Sequence, residues 1–420
     1  MKLRDDTREP RRWIHTYTQT TKKMPFHSHP HALPIEETRL RLEKVRQEMT
    51  SRGAEACIFS TPVNSLYLLG YIVGGYIVVL PEGDPWLFVR RPAGLQGDRV
   101  CYIGRPEEMI TRIAEVGTPL PYNVALETDS LPYSDITRLL RACGNVHVVS
   151  ADSIIRTARA IKTPMEIEQM RTCGKIYCRA FAEVPHLYKR GMTDHDFTLA
   201  WENLVRSMGH IGIFRTFGSK MEGFMGTSIL VGDNADAGSP YDFALGGAGM
   251  HPSLPMAANG TVLQEGQTMM VDGGGCFGPY ITDMTRVYAL GTLPEIVQRA
   301  HQCSIEICHH FQQTARPGMS CAEFYRAALE RVSEAGLTEY FMGHQQQAAF
   351  VGHGVGLQIN ELPVLFGRSR EKLEAGMTIA LEPKFVFPGI GAVGIENTYL
   401  ITTSGVENLT ADAPEEIIYL

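Results

Sequence analysis

Five side chains able to bind a divalent cation follow one another through the last third of the sequence: Asp272, Asp283, His353, Glu382 and Glu396. Four carboxylates and one imidazole can hold two such ions a few ångströms apart with a water between them, the equipment of metal-assisted hydrolysis. Asp272 closes the apolar run TMMVD, and Asp283 follows eleven residues on in YITDMTRV. His353 stands between glycines in VGHGVG; Glu382 closes a second apolar run, MTIALE, and Glu396 comes fourteen residues later in GAVGIENTYL. Singly, each acid reads as a strand-end carboxylate in water; the matched spacing makes them a set. Oxygen donors with one imidazole favour manganese, cobalt, iron or zinc over copper, and the lack of a cysteine among them argues against a structural zinc site.

The elements that must position this set read as a duplication. Gly266 to Asp272 and Gly376 to Glu382 are both apolar runs with the acid six residues after the glycine, and each is followed by turn residues and a second strand carrying another acid. Side chains alternate along a strand, so one acid per strand can face a common site while its neighbours face the core. Ahead of each hairpin lie two helical stretches joined by RGMT or RPGMS. Four helix starts carry a capping signature: Thr163-Pro164-Met165-Glu166, Thr193 with Asp196, Thr292-Leu293-Pro294-Glu295, and Ser320 with Glu323. Two related hairpins meeting about a pseudo-two-fold axis bring four carboxylates together.

Composition sets the surroundings. At 420 residues the chain is long enough for two domains. Hydrophobic content of 44%, charged content of 20% and a net charge of -7 describe a globular chain and argue against nucleic acid or an anionic membrane as the main partner. No run approaches a membrane-spanning helix and no secretory h-region is visible, so a cytoplasmic protein is expected. Nine scattered cysteines without a CxxC pair fit reduced, mostly buried thiols. The polar stretch 1–34, with HSHPH at 27–31, reads as an N-terminal arm. From Ile35 to Thr50 the spacing of Leu42, Val45 and Met49 predicts an amphipathic helix, followed by strands at ACIFS, YIVVLP and WLFVRR. Residues 35–155 are therefore expected to form a small α/β domain and 156–420 the catalytic domain.

DGGGCFGPYITDMTR, GHGVGLQINELP, ALEPKFVFPG and GIENTYLIT resemble the signature segments of the pita-bread metallopeptidases. SLYLLGY and IRTARAIKTPMEIEQMR are similar to the creatinase/prolidase-type N-terminal domain and its junction. The resemblance covers essentially the chain beyond residue 35 and points to the Xaa-Pro dipeptidase (prolidase) and aminopeptidase P branch. It implies an α/β (α+β) fold with an internally duplicated catalytic domain. It also implies two divalent ions, manganese first, with cobalt, zinc or iron as alternatives. Carried over by position, Asp272 chelates one ion, His353 and Glu382 bind the other, and Asp283 and Glu396 bridge them. A bridging hydroxide attacks the scissile carbonyl of a small peptide, with Glu382 as the proton shuttle beside His353. A homodimer is implied as well. Thr285 and Thr398, each two residues past a bridging acid, are placed on the same strand face as donors to the ligands.

The sequence departs from the pattern on the substrate side. Asn360 in INELP stands where an imidazole is expected, and NADAGSPYDF lacks the histidine of its counterpart segment. His251, 21 residues before Asp272, is one substitute; Tyr241 and His344 are further substrate-binding candidates, and His210 and Arg215 complete the group. The rebuilt pocket leaves room for another member of the fold, a metal-dependent dimethylsulfoniopropionate (C–S) lyase. A non-catalytic binding protein is a third alternative, disfavoured by the retention of all five ligands.

Overall fold

The computed structural model describes residues 29–115, 119–218 and 227–420. The expected arm up to residue 28, with His27 and Ser28 of the HSHPH cluster, lies outside the described residues; His29 stacks on Tyr71 with ring centroids 4.1 Å apart. No helix among the described residues is long and apolar enough to cross a membrane.

The first layer is built as its periodicity predicts. α1 (Ile35–Ser51) buries Leu42, Val45 and Met49, the positions picked out by helical spacing. Then follow β1 (Ala56–Phe59), α2 (Pro62–Leu69), β2 (Gly74–Val79), β3 (Trp86–Arg91), β4 (Val100–Tyr102), α3 (Pro106–Glu115), β5 (Asn123–Leu126), α4 (Tyr133–Cys143), β6 (His147–Ser150) and α5 (Ala151–Ala160). The six strands form one sheet ordered β4-β3-β2-β1-β5-β6. The expected boundary at 155–156 lies within α5, which packs on α1 and on this sheet and also touches the second body.

The second body begins at α6 (Pro164–Ala182), where Thr163 and Glu166 close a capping box, and continues with α7 (Val184–Leu187) and α8 (Asp194–Ser207), capped by Thr193 and Asp196. β7 (Thr227–Val231), β8 (Gln267–Gly275) and β9 (Thr282–Leu290) follow, then α9 (Glu295–Thr314) and α10 (Cys321–Glu334). Ser320 caps α10, but Thr292 does not cap α9, whose N-cap is Pro294 itself. The reason is the position of the proline. In Thr163-Pro164 it occupies the first helical residue, which it suits; in Thr292-Leu293-Pro294 it would force Leu293 into the helix, and a residue before proline is driven out of the α region.

The chain closes with β10 (Phe350–Gly354), β11 (Glu361–Phe366), β12 (Thr378–Leu381), β13 (Lys384–Phe387), β14 (Gly391–Gly394), β15 (Asn397–Ile401), β16 (Val406–Asn408) and β17 (Ile418–Tyr419). Two main sheets result, β17-β9-β8-β7 and β11-β10-β12-β15-β16, with β13-β14 as a separate hairpin. The largest apolar core packs α9 and α10 against the second sheet and the β13-β14 hairpin, while Trp201, Tyr177 and Phe181 fill the space between the α6 and α8 helices and the first sheet.

Candidate metal centre

Register brings the five predicted ligands to one place. Asp272 pairs with Thr285 across β8 and β9, and Thr285 in turn bridges to Glu396. His353 pairs with Ala380, which pairs with Thr398. The two rows run side by side, tied by Thr398, whose hydroxyl accepts from the Asp283 N–H at 2.8 Å and lies 2.8 Å from the Asp283 carbonyl oxygen. Glu382 directly follows β12 and Glu396 directly precedes β15. The glycines around His353 are there for close packing: a Cβ on Gly352 would lie 2.6 Å from the Ala380 carbonyl oxygen.

The ligand atoms fall into two unequal halves. Asp283, His353 and Glu396 each offer an atom within 4.8 Å of the others, and His353 Nε2 stands 3.4 Å from Glu382 Oε1. Glu396 Oε1 is buried without a hydrogen-bond partner. A buried carboxylate with one oxygen unpaired, grouped with an imidazole and a second carboxylate, is a donor set suited to a divalent cation, which would remove the cost of leaving that oxygen unpaired. On the other side, Lys384 donates from Nζ to Asp272 Oδ2 at 3.0 Å, Glu382 Oε2 at 2.7 Å and Glu396 Oε2 at 3.3 Å. Thr285 Oγ1 lies 2.6 Å from Asp272 Oδ1 and 2.8 Å from Glu396 Oε2.

The electrostatics follow from that asymmetry. Burial, with the Asp272 charge beside it, pushes Asp283 up to about 7, and burial with Asp283 lifts Glu396 well above the carboxylate range. Burial alone would raise Glu382 too, but the Lys384 and His353 charges outweigh it and hold Glu382 well below its ordinary value. For His353 burial is again outweighed, here by Glu382 and Asp283, and its pKa rises to about 9. Acids that resist ionisation this strongly favour a dication beside them.

The centre opens into a cavity of about 540 Å³ between the two layers of the molecule. Phe214, Phe243 and Phe350 give it apolar walls, and Asn360 and Arg156 line it as well. Arg156 comes from α5, with its guanidinium 3.8 Å from the Phe217 ring centroid and Nη2 3.3 Å from the Asn360 carbonyl oxygen. The Asn360 side chain accepts from the Phe217 N–H at 2.7 Å and donates to the Phe217 carbonyl at 2.8 Å, so it ties this loop to Phe217 at the cavity's edge. A buried network sets the height of this loop: Glu361 pairs with Arg159 and with Lys162, the latter at 3.1 Å, and accepts from the Leu357 N–H at 2.9 Å.

The remaining substrate candidates lie elsewhere. Tyr241 and His344 line an adjoining cavity of about 460 Å³, where His344 Nδ1 is 2.9 Å from Asp236 Oδ2. Phe243 and Phe350 form the wall between the two spaces. His251 is exposed in a turn, 2.8 Å from Ser253 Oγ, and lines neither cavity. His210 is buried and structural: Nδ1 accepts from the Gly212 N–H at 2.9 Å, which leaves Nε2 to donate to the Gly274 carbonyl at 3.1 Å. Arg215 contributes its carbonyl, which accepts from the Ile359 N–H at 2.8 Å. Two residues the sequence reading passed over are Lys384 and Arg156. Lys384 carried a signal, since it is the one positive charge in the run ALEPKFVF, two residues beyond Glu382.

Comparison with known proteins gives the family. The model of "Metallopeptidase family M24" matches residues 168–403, and that of the "Creatinase/Prolidase N-terminal domain" matches residues 41–161. The chain is 27% identical over 347 residues to a probable dipeptidase PepE of Mycobacterium tuberculosis, covering 82% of this chain and 83% of that protein. It is 25% identical over 389 residues to the Xaa-Pro dipeptidase of Pyrococcus furiosus, covering 88% of this chain and 97% of that one. Among solved structures, the Xaa-Pro dipeptidase from Bacillus anthracis superposes with a TM-score of 0.74 at 21% identity, covering 91% of this chain and all of that one. The chain belongs to metallopeptidase family M24, as a hydrolase with a pita-bread catalytic domain behind a creatinase/prolidase-type N-terminal domain.

Proposed function

We propose that this protein is a metal-dependent Xaa-Pro dipeptidase or aminopeptidase P-like enzyme acting on small peptides. The observation that carries the reading is the buried half-site of Asp283, His353 and Glu396, with an unpaired carboxylate oxygen, opening into a cavity of about 540 Å³. Asp283, His353, Glu382 and Glu396 would hold a divalent ion there, manganese first, with cobalt, zinc or iron as alternatives. When bound, such an ion acidifies a water and polarises the scissile carbonyl. The two-ion arrangement expected from the family pattern would add Asp272 as the chelator of a second ion.

The protein's own residues do the rest. Glu382 has one oxygen occupied by Lys384 and directs the other towards His353, so Oε1 is its one free oxygen, the atom that would approach the ion and the one through which a proton would pass from water to the leaving nitrogen. The phenylalanine walls suit a compact, apolar ring such as proline. Arg156 supplies a positive charge in the cavity for the substrate's terminal carboxylate. The reading further proposes a cytoplasmic homodimer; nine unpaired cysteines, seven of them buried, support a reducing compartment.

The test is a substrate panel for the metal-loaded protein: Xaa-Pro dipeptides, longer Xaa-Pro peptides, and dimethylsulfoniopropionate monitored for acrylate. Cleavage of an Xaa-Pro bond is expected. Acrylate release without peptide cleavage would replace the reading with the lyase alternative.

A further inference from the structure

The carboxylate cluster already contains a cation. Lys384 begins β13 two residues beyond Glu382, and it is 1% exposed, so its ammonium has no water to retreat into. Its Nζ has three protons, and three carboxylates lie within reach: Asp272, Glu382 and Glu396. Among the described residues these are its only hydrogen-bond partners. Asp272 is left with Oδ1 on the Thr285 hydroxyl and Oδ2 on the ammonium, so both oxygens are engaged.

These are the oxygens that the family pattern assigns to one of two metal ions. An ion on Asp272 would sit about 2.0–2.2 Å from oxygens that the ammonium already holds, which places two positive charges against each other in a buried space. The opposite half shows the reverse. Asp283, His353 and Glu396 converge there, and Glu396 Oε1 is buried with no partner. One half of the cluster is satisfied by the chain itself and the other calls for a cation.

We propose that Lys384 takes the place of one of the two metal ions, so that the chain binds a single divalent cation between Asp283, His353, Glu382 and Glu396. This rests on the metallopeptidase reading for the presence of any ion, and not on which bond is cleaved. The ammonium replaces the charge of the missing ion in part and fixes Asp272 and Glu382 in place. It leaves Asp272 as a lysine partner rather than a metal ligand.

The experiment counts ions on the full chain. Protein stripped with a chelator is equilibrated with excess manganese chloride and dialysed, and bound manganese is measured by elemental analysis and by electron paramagnetic resonance. The wild type is expected to hold close to one ion per chain with the spectrum of an isolated ion. Asp272→Asn should keep that ion with less than about a threefold change in affinity, whereas Asp283→Asn should lose it. Lys384→Gly, which frees the three oxygens, should take up a second ion and show exchange coupling. Two ions on the wild type, or none, would overturn the proposal, as would a folded Lys384→Gly protein that stays at one. Should Lys384→Gly fail to fold, the wild-type count and the Asp272→Asn result decide alone. One ion with no peptide cleaved supports this proposal and removes the peptidase reading; two ions with peptide cleavage do the opposite.

Discussion

Thr285 and Glu396 exchange both backbone hydrogen bonds, at 3.3 and 3.2 Å, and so join the two catalytic sheets at the level of the metal centre. The Thr285 hydroxyl also touches the Glu396 and Asp272 carboxylates. A hydroxyl has one proton, so it donates to one carboxylate at a time and holds both in register. Thr285→Val is predicted to weaken manganese binding roughly 10–100-fold, the usual effect of removing a group that orients a ligand. Thr285→Ser should restore most of it, because the hydroxyl returns. Titration against a competing chelator measures both.

Glu361 makes a second prediction, about stability and pH. Burial alone would raise its pKa, but Arg159 and Lys162 outweigh it and bring the group down to about 2 from an ordinary 4.5. A depressed carboxylate stabilises the fold fully above its unfolded pKa and loses that contribution as pH falls through the folded one. The contribution is therefore complete above pH 4.5 and declines between 4.5 and about 2. Glu361→Gln leaves two buried cations short of a partner and should cost about 3–5 kcal/mol at neutral pH. Urea unfolding at pH 7 and at pH 3.5 should show the gap between variant and wild type narrowing in acid.

Arg156 reaches the cavity from α5, so the proposed substrate binding draws on the N-terminal layer. Arg156→Ala is predicted to raise KM for a dipeptide about tenfold or more with little change in kcat, because the charge binds the ground state and the transition state alike. A peptide amidated at its C-terminus should be insensitive to the substitution. Steady-state kinetics on the two substrates would check this, and equal losses on both would remove Arg156 from carboxylate recognition.

The convergence of the five candidate ligands was legible in large part because it rests on local rules. An acid six residues after a turn glycine, repeated in both halves, puts Glu382 just past β12 and Asp272 inside β8, three residues before its end, and alternation sets the face. The pocket was less legible because it is built by tertiary contacts. Tyr241 and His344 turn into the adjoining cavity and His251 into an exposed turn, while Asn360 hydrogen-bonds the Phe217 backbone through both its side-chain oxygen and its nitrogen. Arg156 reaches the site from a helix 116 residues ahead of Asp272 in sequence, a proximity that no local pattern records. Thr292 shows a finer limit: one residue's shift of a proline moves a helix start past its expected cap.

The central claim is that a cation held at His353 drives peptide hydrolysis. The direct measurement is the rate of Xaa-Pro dipeptide cleavage by chelator-stripped wild type and His353→Ala, each before and after manganese is restored. The account predicts no cleavage by stripped wild type, full recovery with manganese, and a His353→Ala protein that folds but stays at least about 100-fold slower at any manganese concentration. Cleavage that survives chelation, or a His353→Ala enzyme that manganese brings back to the wild-type rate, would contradict it.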